Sequence, residues 1–359
     1  MSFFVKFLIA VVAVTFGSAN FCRAADQAEA DCPTIDLSAR TGRIESQGST
    51  GWCYAFASAT LATFATGNEI SAGDIAINYN SEVKNPTSRL HQSVADDYRG
   101  ANPGCFESTI AKNINDIDGG YPDLAFNETM RVGFCKLKDL PDEVKTREGD
   151  YWSGRERILE MEHALATIDP SYRCRETTFL RSAFPTSDLR KLAEAIKDAT
   201  VAETVKAADG FACKARVQSS YVAQKVSFAR NDPQSTAFLM AEIRSMRPIA
   251  VSLNVMELMH PQKQIRARLA NEARRDTPCF RESNLDVAGH AISVIGQRYN
   301  RSRARCEVMV KNSWGVKPNC SDYDTSIVSC DDRGYAYVPF DAIQKNLYAL
   351  TVLRPANSK

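Results

Sequence analysis

The sequence has almost no net charge, few histidines, and after its first 25 residues no apolar run long enough to cross a membrane. Lys and Arg total 44 against 43 Asp and Glu, so no global field directs the protein to nucleic acid or to an anionic membrane. Only four histidines are present and no two cysteines form a Cys-x-x-Cys pair, which argues against a zinc site. We therefore expect no metal, no cofactor, and neither a nucleic-acid nor a membrane partner.

Hydrophobic residues make up 44% of the 359 positions, enough for a large core in one enzyme domain or in two lobes that meet at a cleft. The N-terminal residues 3–16 are apolar with two exceptions, and small residues follow up to Arg-Ala-Ala at 23–25. This pattern predicts a signal peptide over 1–24. An uncleaved anchor helix is the alternative, but the apolar run is shorter than the ~20 residues that span a bilayer. We expect a secreted protein, periplasmic or extracellular.

Eleven cysteines in an exported chain indicate disulfides. Removal of Cys22 with the signal peptide leaves ten, and if one of these is a free nucleophile, the remaining nine cannot all pair within one chain. Cys320 and Cys330 could close a short loop, but the sequence leaves the connectivity open.

Helical segments are predicted early in the chain and strands late. Residues 53–66 contain no Gly, Pro or charged side chain, which predicts a buried helix with Cys53 at its N-terminus. Two further helices are predicted over 107–117 and 235–247. The strand-like runs cover 249–255, 291–297, 307–311 and 335–339. This order indicates an α+β protein with a helical lobe and a β-rich lobe.

The composition changes between residues 134 and 233, where charged, helix-favouring sequence carries apolar residues at three- and four-residue intervals. We interpret this block as a helical insertion. It separates an N-terminal segment and helical lobe over 25–133 from a β-rich lobe over 234–359.

Cys53 has the setting of a nucleophile. A helix N-terminus presents partial positive charge and unpaired N–H groups, which favour a thiolate over a thiol. Most cysteines in apolar helices are simply buried, however, so the position alone does not indicate catalysis.

The surrounding string at 47–56, Gln-Gly-Ser-Thr-Gly-Trp-Cys-Tyr-Ala-Phe, resembles the active-site segment of the papain family of cysteine peptidases. The local signature of that family is Cys-Gly-[Ser/Ala]-Cys-[Trp/Tyr]. Residues 50–54 match it at the glycine, the nucleophile and the following aromatic, and depart from it at Thr50 and Trp52. The resemblance implies that Cys53 attacks the substrate. It also implies that Gln47 donates its amide to the oxyanion beside the Cys53 backbone N–H.

The family also places a histidine and then an asparagine downstream of the cysteine. Residues 289–296, Gly-His-Ala-Ile-Ser-Val-Ile-Gly, are similar to the histidine strand of the family, and Lys-Asn-Ser-Trp-Gly at 311–315 is its asparagine run without a change. By this resemblance His290 takes the thiol proton and returns it to the leaving amine, Asn312 orients the imidazole, and Trp314 shields their hydrogen bond from water. The implied function is that of a secreted thiol protease that cleaves protein or peptide substrates through an acyl-enzyme.

The sequence departs from the family pattern in the substrate groove and in segments that would regulate the activity. His290 follows Cys53 by far more than the roughly 130–150 positions usual in the family, and the excess is close to the length of the 134–233 block. The resemblance assigns substrate-binding positions to Gly51, Trp52, Gly104 and Gly289, although Pro-Gly-Cys at 103–105 replaces the Gly-Gly pair of the family.

The short segment before Gln47 does not accommodate the inhibitory propeptide of the family. We therefore hypothesise that the insertion covers the cleft, or that the enzyme folds only after export. A separate inhibitor is a further partner compatible with this sequence.

Two other functions stay open. The first is a binding protein on a catalytically blocked peptidase scaffold, with Trp52 or the insertion filling the cleft. The second is another thiol acyltransferase or amidase of papain-like fold. The joint presence of Gln47, Cys53, His290 and Asn312 argues against the first, and the unchanged Asn-Ser-Trp-Gly run argues against the second.

Overall fold

The computed structural model describes residues 30–47, 51–85, 87–93, 119–140, 143–145, 151–153, 210, 213–229, 231–265, 289–316 and 320–356. The predicted signal peptide and the predicted helix at 107–117 lie outside these ranges. Within them, no helix has both the length and the apolar character needed to span a membrane.

Five α-helices are described in these ranges: α1 (Cys53–Thr66), α2 (Ala72–Lys84), α3 (Pro122–Val132), α4 (Pro233–Arg244) and α5 (Phe340–Asn346). Most of α1 is buried, as its lack of charged side chains predicts, and Gly67 ends it in the left-handed conformation. Ser71 caps α2 by accepting a hydrogen bond from the Asp74 backbone N–H at 3.1 Å. The first three helices pack against one another.

The described strands, in chain order, are β1 (Ile35–Asp36), β2 (Glu143–Lys145), β3 (Tyr151–Ser153), β4 (Tyr221–Ser227), β5 (Ile249–Asn254), β6 (Gly289–Asn300), β7 (Arg305–Lys311), β8 (Ser329–Cys330), β9 (Ala336–Pro339) and β10 (Leu347–Pro355). An antiparallel sheet runs in the order β4-β10-β5-β6-β7-β9-β8, and β1 adds to β6. Strands β2 and β3 pair only with each other.

The mixture of helices and antiparallel sheet confirms the predicted α+β class. The predicted helix at 53–66 is α1, and the helix predicted at 235–247 is α4, shifted by two to three residues. All four predicted strand runs correspond to strands, namely β5, β6, β7 and β9.

The sheet is covered on both faces. Ala250 and Ala291 point to the face covered by α1, and share one apolar cluster with its side chains. Their neighbours Val251 and Ile292 belong to a second cluster with α4 and α5, because successive strand residues face opposite sides. Helix α1 therefore lies directly on β5 and β6, the strands at the centre of the sheet.

We predicted helices throughout residues 134–233. This prediction is wrong for the parts of the block that form strands in the described structure. Residues 221–227 form β4, which pairs along its whole length with β10 and is fastened to α3 by two hydrogen bonds between Asn127 and the backbone of Ala223. These ladder partners come from distant parts of the chain, so local periodicity does not reveal them. Phe134 and Val217 also exchange two backbone hydrogen bonds of 2.8 and 2.9 Å. Residues 154–209 lie outside the described ranges, so the insertion as a unit stays a prediction.

Three disulfides join Cys32 to Cys306, Cys135 to Cys213, and Cys320 to Cys330. The last is the short loop that the sequence allowed. Among the described cysteines, Cys53 is the one that is not in a disulfide. The four other cysteines, at 22, 105, 174 and 279, lie outside the described residues.

We expect Gly296→Ala to destabilise the protein, because β1 pairs closely with β6 at this glycine. A Cβ atom at position 296 would lie 2.1 Å from the carbonyl oxygen of Ile35. Overpacking of this kind costs about 1–3 kcal/mol of unfolding free energy. Urea denaturation measures the loss. Gly289→Ala is the matched control, since a Cβ there meets nothing within 4 Å. Equal unfolding midpoints for the two variants would contradict the prediction.

Candidate active site

Four segments meet where α1 begins on the sheet. Cys53 is the first residue of α1 and shares an apolar cluster with Ala291, the neighbour of His290. Strand β7 runs antiparallel to β6 with Lys311 opposite Ser293, which returns the chain to the start of β6. The N-terminal segment completes the group, because Gln47 N donates to Ser313 O at 2.8 Å.

His290 and Asn312 form a direct side-chain pair. The distance from His290 Nε2 to Asn312 Oδ1 is 2.8 Å. Asn312 Oδ1 also accepts from the Ser313 backbone N–H at 2.8 Å, and its Nδ2 donates to the Tyr323 hydroxyl at 2.6 Å. A backbone N–H can only donate, so these contacts identify the oxygen of the amide and make His290 Nε2 the donor. In the neutral imidazole the lone pair is then on Nδ1.

Trp314 covers this pair. Its ring is stacked on the imidazole of His290 with centroids 4.9 Å apart, and the ring of Tyr323 lies 5.4 Å away from it. Residue 314 is held by a bridge to Ser46 and by the following Gly315 N, which donates to Glu45 O at 3.1 Å. The Trp314 indole therefore lies against the His290 imidazole, and its shielding role stays a prediction.

Cys53 is buried, with 9% of its surface exposed. It stands at the N-terminal end of a 14-residue helix, where the aligned peptide dipoles favour a negative charge. The residue before it, Trp52, precedes the first helical turn, accepts from Ala55 N at 2.9 Å, and packs in the same apolar cluster.

Gln47 is buried. Its Oε1 accepts a hydrogen bond from the Ser313 hydroxyl, which joins the side chain of Gln47 to the loop that carries Asn312. Sequence patterns did not single out Ser313 for a role, although it lies within the Asn-Ser-Trp-Gly run.

The substrate-binding positions are described in part. The carbonyl oxygen of Gly51 accepts from Gly119 N at 2.9 Å, so it takes part in joining the start of α1 to the segment before α3. Gly289 is exposed at the start of β6, with open space where a side chain would project. Gly104 lies outside the described residues.

Tyr323 was not predicted from the sequence. It lies in the loop closed by Cys320 and Cys330, which carries no family motif. Its bond to Asn312 depends on how this loop folds back, and the one sequence signal was the spacing of the two cysteines.

Burial dominates the electrostatics of the site. It lowers the pKa of His290 from 6.5 to about 4, while the hydrogen bond that His290 donates to Asn312 opposes this effect. Burial also raises the pKa of Tyr323 well above its usual value. Both side chains are therefore neutral at pH 7 unless a negative charge forms beside the imidazole. No group of three or more His, Cys, Asp or Glu side chains that could hold a metal occurs among the described residues.

No protein-family model and no curated protein matches this sequence. Two similar solved structures are PepW from Lactobacillus rhamnosis HN001 and the proform of the Amb a 11 cysteine protease, a major ragweed pollen allergen. The PepW match has 12% identity and a TM-score of 0.44, and covers 91% of this chain and 83% of PepW. The Amb a 11 match has 14% identity and a TM-score of 0.37, covering 89% of this chain and 65% of the other. Likeness at this level, below a TM-score of 0.5, does not establish an activity.

We expect the imidazole of His290 to titrate near pH 4 in Cys53→Ala, which cannot form a thiolate. NMR of the four histidines, with His290→Asn to assign the signal, measures this pKa. Adding Asn312→Ala should lower this pKa further, because the hydrogen bond that His290 donates to Asn312 raises it.

The same shift makes stability depend on pH. The unfolded chain protonates this histidine near 6.5 and the folded one near 4, so the contribution is complete above 6.5 and is lost as the pH falls toward 4. A titration midpoint at or above 6.5 in Cys53→Ala would contradict the expectation.

Proposed function

We propose that the protein is a secreted cysteine peptidase with a papain-like two-lobe fold, in which Cys53, His290, Asn312 and Gln47 form the active site. The observation that carries the proposal is the His290–Asn312 pair covered by Trp314, together with Cys53, which is outside the disulfides and begins the helix that packs on the same strand. Together these groups supply a nucleophile, a base with a defined tautomer and a group that orients the base.

In the proposed mechanism Nδ1 of His290 is the base, because Nε2 is held by Asn312. The Cys53 proton moves to Nδ1, and the thiolate attacks the carbonyl carbon of the substrate. The backbone N–H of Cys53 and Nε2 of Gln47 then donate to the oxyanion. The imidazolium returns its proton to the leaving amine, which leaves an acyl-enzyme that water hydrolyses with His290 again as the base.

The electrostatics fit this order of steps. A buried imidazolium is unfavourable alone, as the low pKa of His290 indicates, but a thiolate beside it supplies a compensating charge. Asn312 stabilises the imidazolium through a neutral carbonyl oxygen, and Trp314 keeps water from competing for that bond.

The substrate is a protein or peptide, bound along a groove that includes Gly51, Trp52, Gly104 and Gly289. Export before folding accords with the predicted signal peptide over 1–24 and with three disulfides, which persist in oxidising compartments.

One observation favours the second candidate, a blocked scaffold that binds without cleaving. The exposed fraction of Cys53 is 9% and that of Trp52 is 5%, so little of either side chain is open to a ligand. In this reading Trp52 or the predicted insertion over 134–233 covers the thiol, and the two candidates differ in whether Cys53 reacts.

A peptidyl epoxide should label the wild-type protein once, on the peptide that contains Cys53, because the activated thiolate opens the epoxide. Peptide mass spectrometry locates the adduct. We expect no adduct in Cys53→Ala and an unchanged one in Cys105→Ser, the matched control for an unrelated cysteine. An adduct that persists in Cys53→Ala overturns the assignment of the nucleophile, and a folded wild-type protein that stays unlabelled supports the blocked scaffold.

Replacement of Gln47 should slow catalysis. Loss of one oxyanion donor costs about 10²–10³-fold in kcat, so we expect Gln47→Ala to lower kcat by that order while KM changes little. Steady-state hydrolysis of a fluorogenic peptide measures both constants. Gln344→Ala is the control, since that amide bonds Thr236 and the Asn231 carbonyl away from the site. A kcat for Gln47→Ala within twofold of the control would remove Gln47 from the mechanism.

A further inference from the structure

We propose that Tyr323 is a positioning residue that holds the Asn312 amide in the orientation that stabilises the His290 imidazolium. The inference rests on the proposed function and adds to it a residue outside the family motifs. It is carried by the hydrogen bond from Asn312 Nδ2 to the Tyr323 hydroxyl, 2.6 Å long and buried.

The bond completes the hydrogen bonding around Asn312. Oδ1 of this amide already faces His290 Nε2 and the Ser313 N–H, each at 2.8 Å. The Nδ2 end enters the protein, where Asn312 is only 8% exposed, and the Tyr323 hydroxyl accepts from it. A buried amide donor without a partner is costly, so removal of the hydroxyl would favour rotation of the amide toward another acceptor. Such a rotation takes Oδ1 away from the imidazole.

Contacts on two sides fix the position of Tyr323. Its backbone N donates to Cys320 O at 2.9 Å, within the loop closed by the Cys320–Cys330 disulfide. From the other side, residue 323 bridges to Met259, and the hydrogen bonds flanking that bridge are His260 N to Asp322 O and Asp324 N to Leu258 O, 3.0 and 2.9 Å long. The ring packs against Trp314, which itself lies on His290. Few degrees of freedom remain for the hydroxyl.

The charged groups around this loop have partners of their own. Lys263 forms an ion pair with Asp322, and Asp324 accepts from Ser326 while His260 acts on it through its charge. None of these groups has a hydrogen bond to the Tyr323 hydroxyl among the described residues. Because burial raises the pKa of Tyr323, the hydroxyl stays neutral across the working range. Its effect on His290 therefore passes through the geometry of Asn312 and not through a charge.

The test compares Tyr323→Phe, which keeps the ring and removes the hydroxyl, with Tyr337→Phe as a matched control. The Tyr337 hydroxyl also donates to a partner, the partly buried Asp331 Oδ2 at 3.3 Å, and that bond does not involve Asn312. The first readout is the pH profile of Cys53 alkylation by iodoacetate, followed on the Cys53 peptide by mass spectrometry. Iodoacetate is an anion drawn to the imidazolium, so its rate falls on the alkaline side as His290 loses its proton.

We expect the alkaline fall to move to lower pH in Tyr323→Phe by about half a unit to one unit, equal to a three- to tenfold loss of imidazolium stabilisation. On a peptide substrate kcat should fall by a similar factor, with KM within twofold. Tyr337→Phe should keep both values. A purely structural effect of Tyr323 would lower the urea midpoint and leave the pH profile in place.

The outcomes separate this inference from the proposed function. If wild-type Cys53 reacts as an ordinary thiol, with a rate that only rises with pH, the proposed function fails. If wild type shows the acid-shifted, bell-shaped profile and Tyr323→Phe reproduces it, the inference alone is overturned. An equal shift in Tyr323→Phe and Tyr337→Phe also overturns it.

Discussion

The packing of α1 on β5 and β6 is the constraint on which the rest of the site depends. A helix without charged side chains, rich in alanine, packs on the centre of the sheet, and its first residue shares an apolar cluster with Ala291 of β6. Cys53 and His290 thus each belong to a regular element whose position the core fixes. Side chains carried by such elements are held more tightly than side chains on loops. The loops around them only need to orient the polar groups.

The described polar groups around the His290–Asn312 pair are neutral, and this determines when the imidazole can carry a charge. Asn312 offers it a carbonyl oxygen, Tyr323 stays protonated, and Trp314 adds an apolar surface. A carboxylate in place of Asn312 would hold the imidazolium permanently. With an amide, burial keeps the isolated ring neutral, and in the proposed mechanism the proton moves to it only as Cys53 becomes negative. The same neutral surroundings make the orientation of the amide important, because a dipole stabilises charge only when it points the right way.

Local sequence patterns predicted those helices and strands whose structure follows from the hydrophobic pattern of their own side chains. Residues 53–66 form a helix because they bury nearly every side chain, and the runs in β5, β6, β7 and β9 alternate or are continuously apolar. Strand β4 was not predicted, since its sequence Tyr-Val-Ala-Gln-Lys-Val-Ser becomes a strand through its ladder with β10 and through Asn127. The roles of Ser313 and Tyr323 were missed for a related reason: each depends on a contact with a distant segment, Gln47 in one case and the loop at 258–260 in the other.

The N-terminal segment is joined to β6, to β7 and to the loop that carries Asn312. Strand β1 pairs with β6 at Gly296, a disulfide joins Cys32 to Cys306 on β7, and residues 45–47 pair with 313–315. Gln47 is therefore positioned by its contacts with residues 313–315, whereas Cys53, six residues later, is positioned by α1. The two proposed oxyanion donors, Gln47 Nε2 and the Cys53 backbone N–H, are thus held by different parts of the structure. Their spacing then depends on how firmly the N-terminal segment lies on the sheet. We therefore expect the close approach at Gly296 and the disulfide to β7 to affect the geometry of the proposed oxyanion site, although neither touches it.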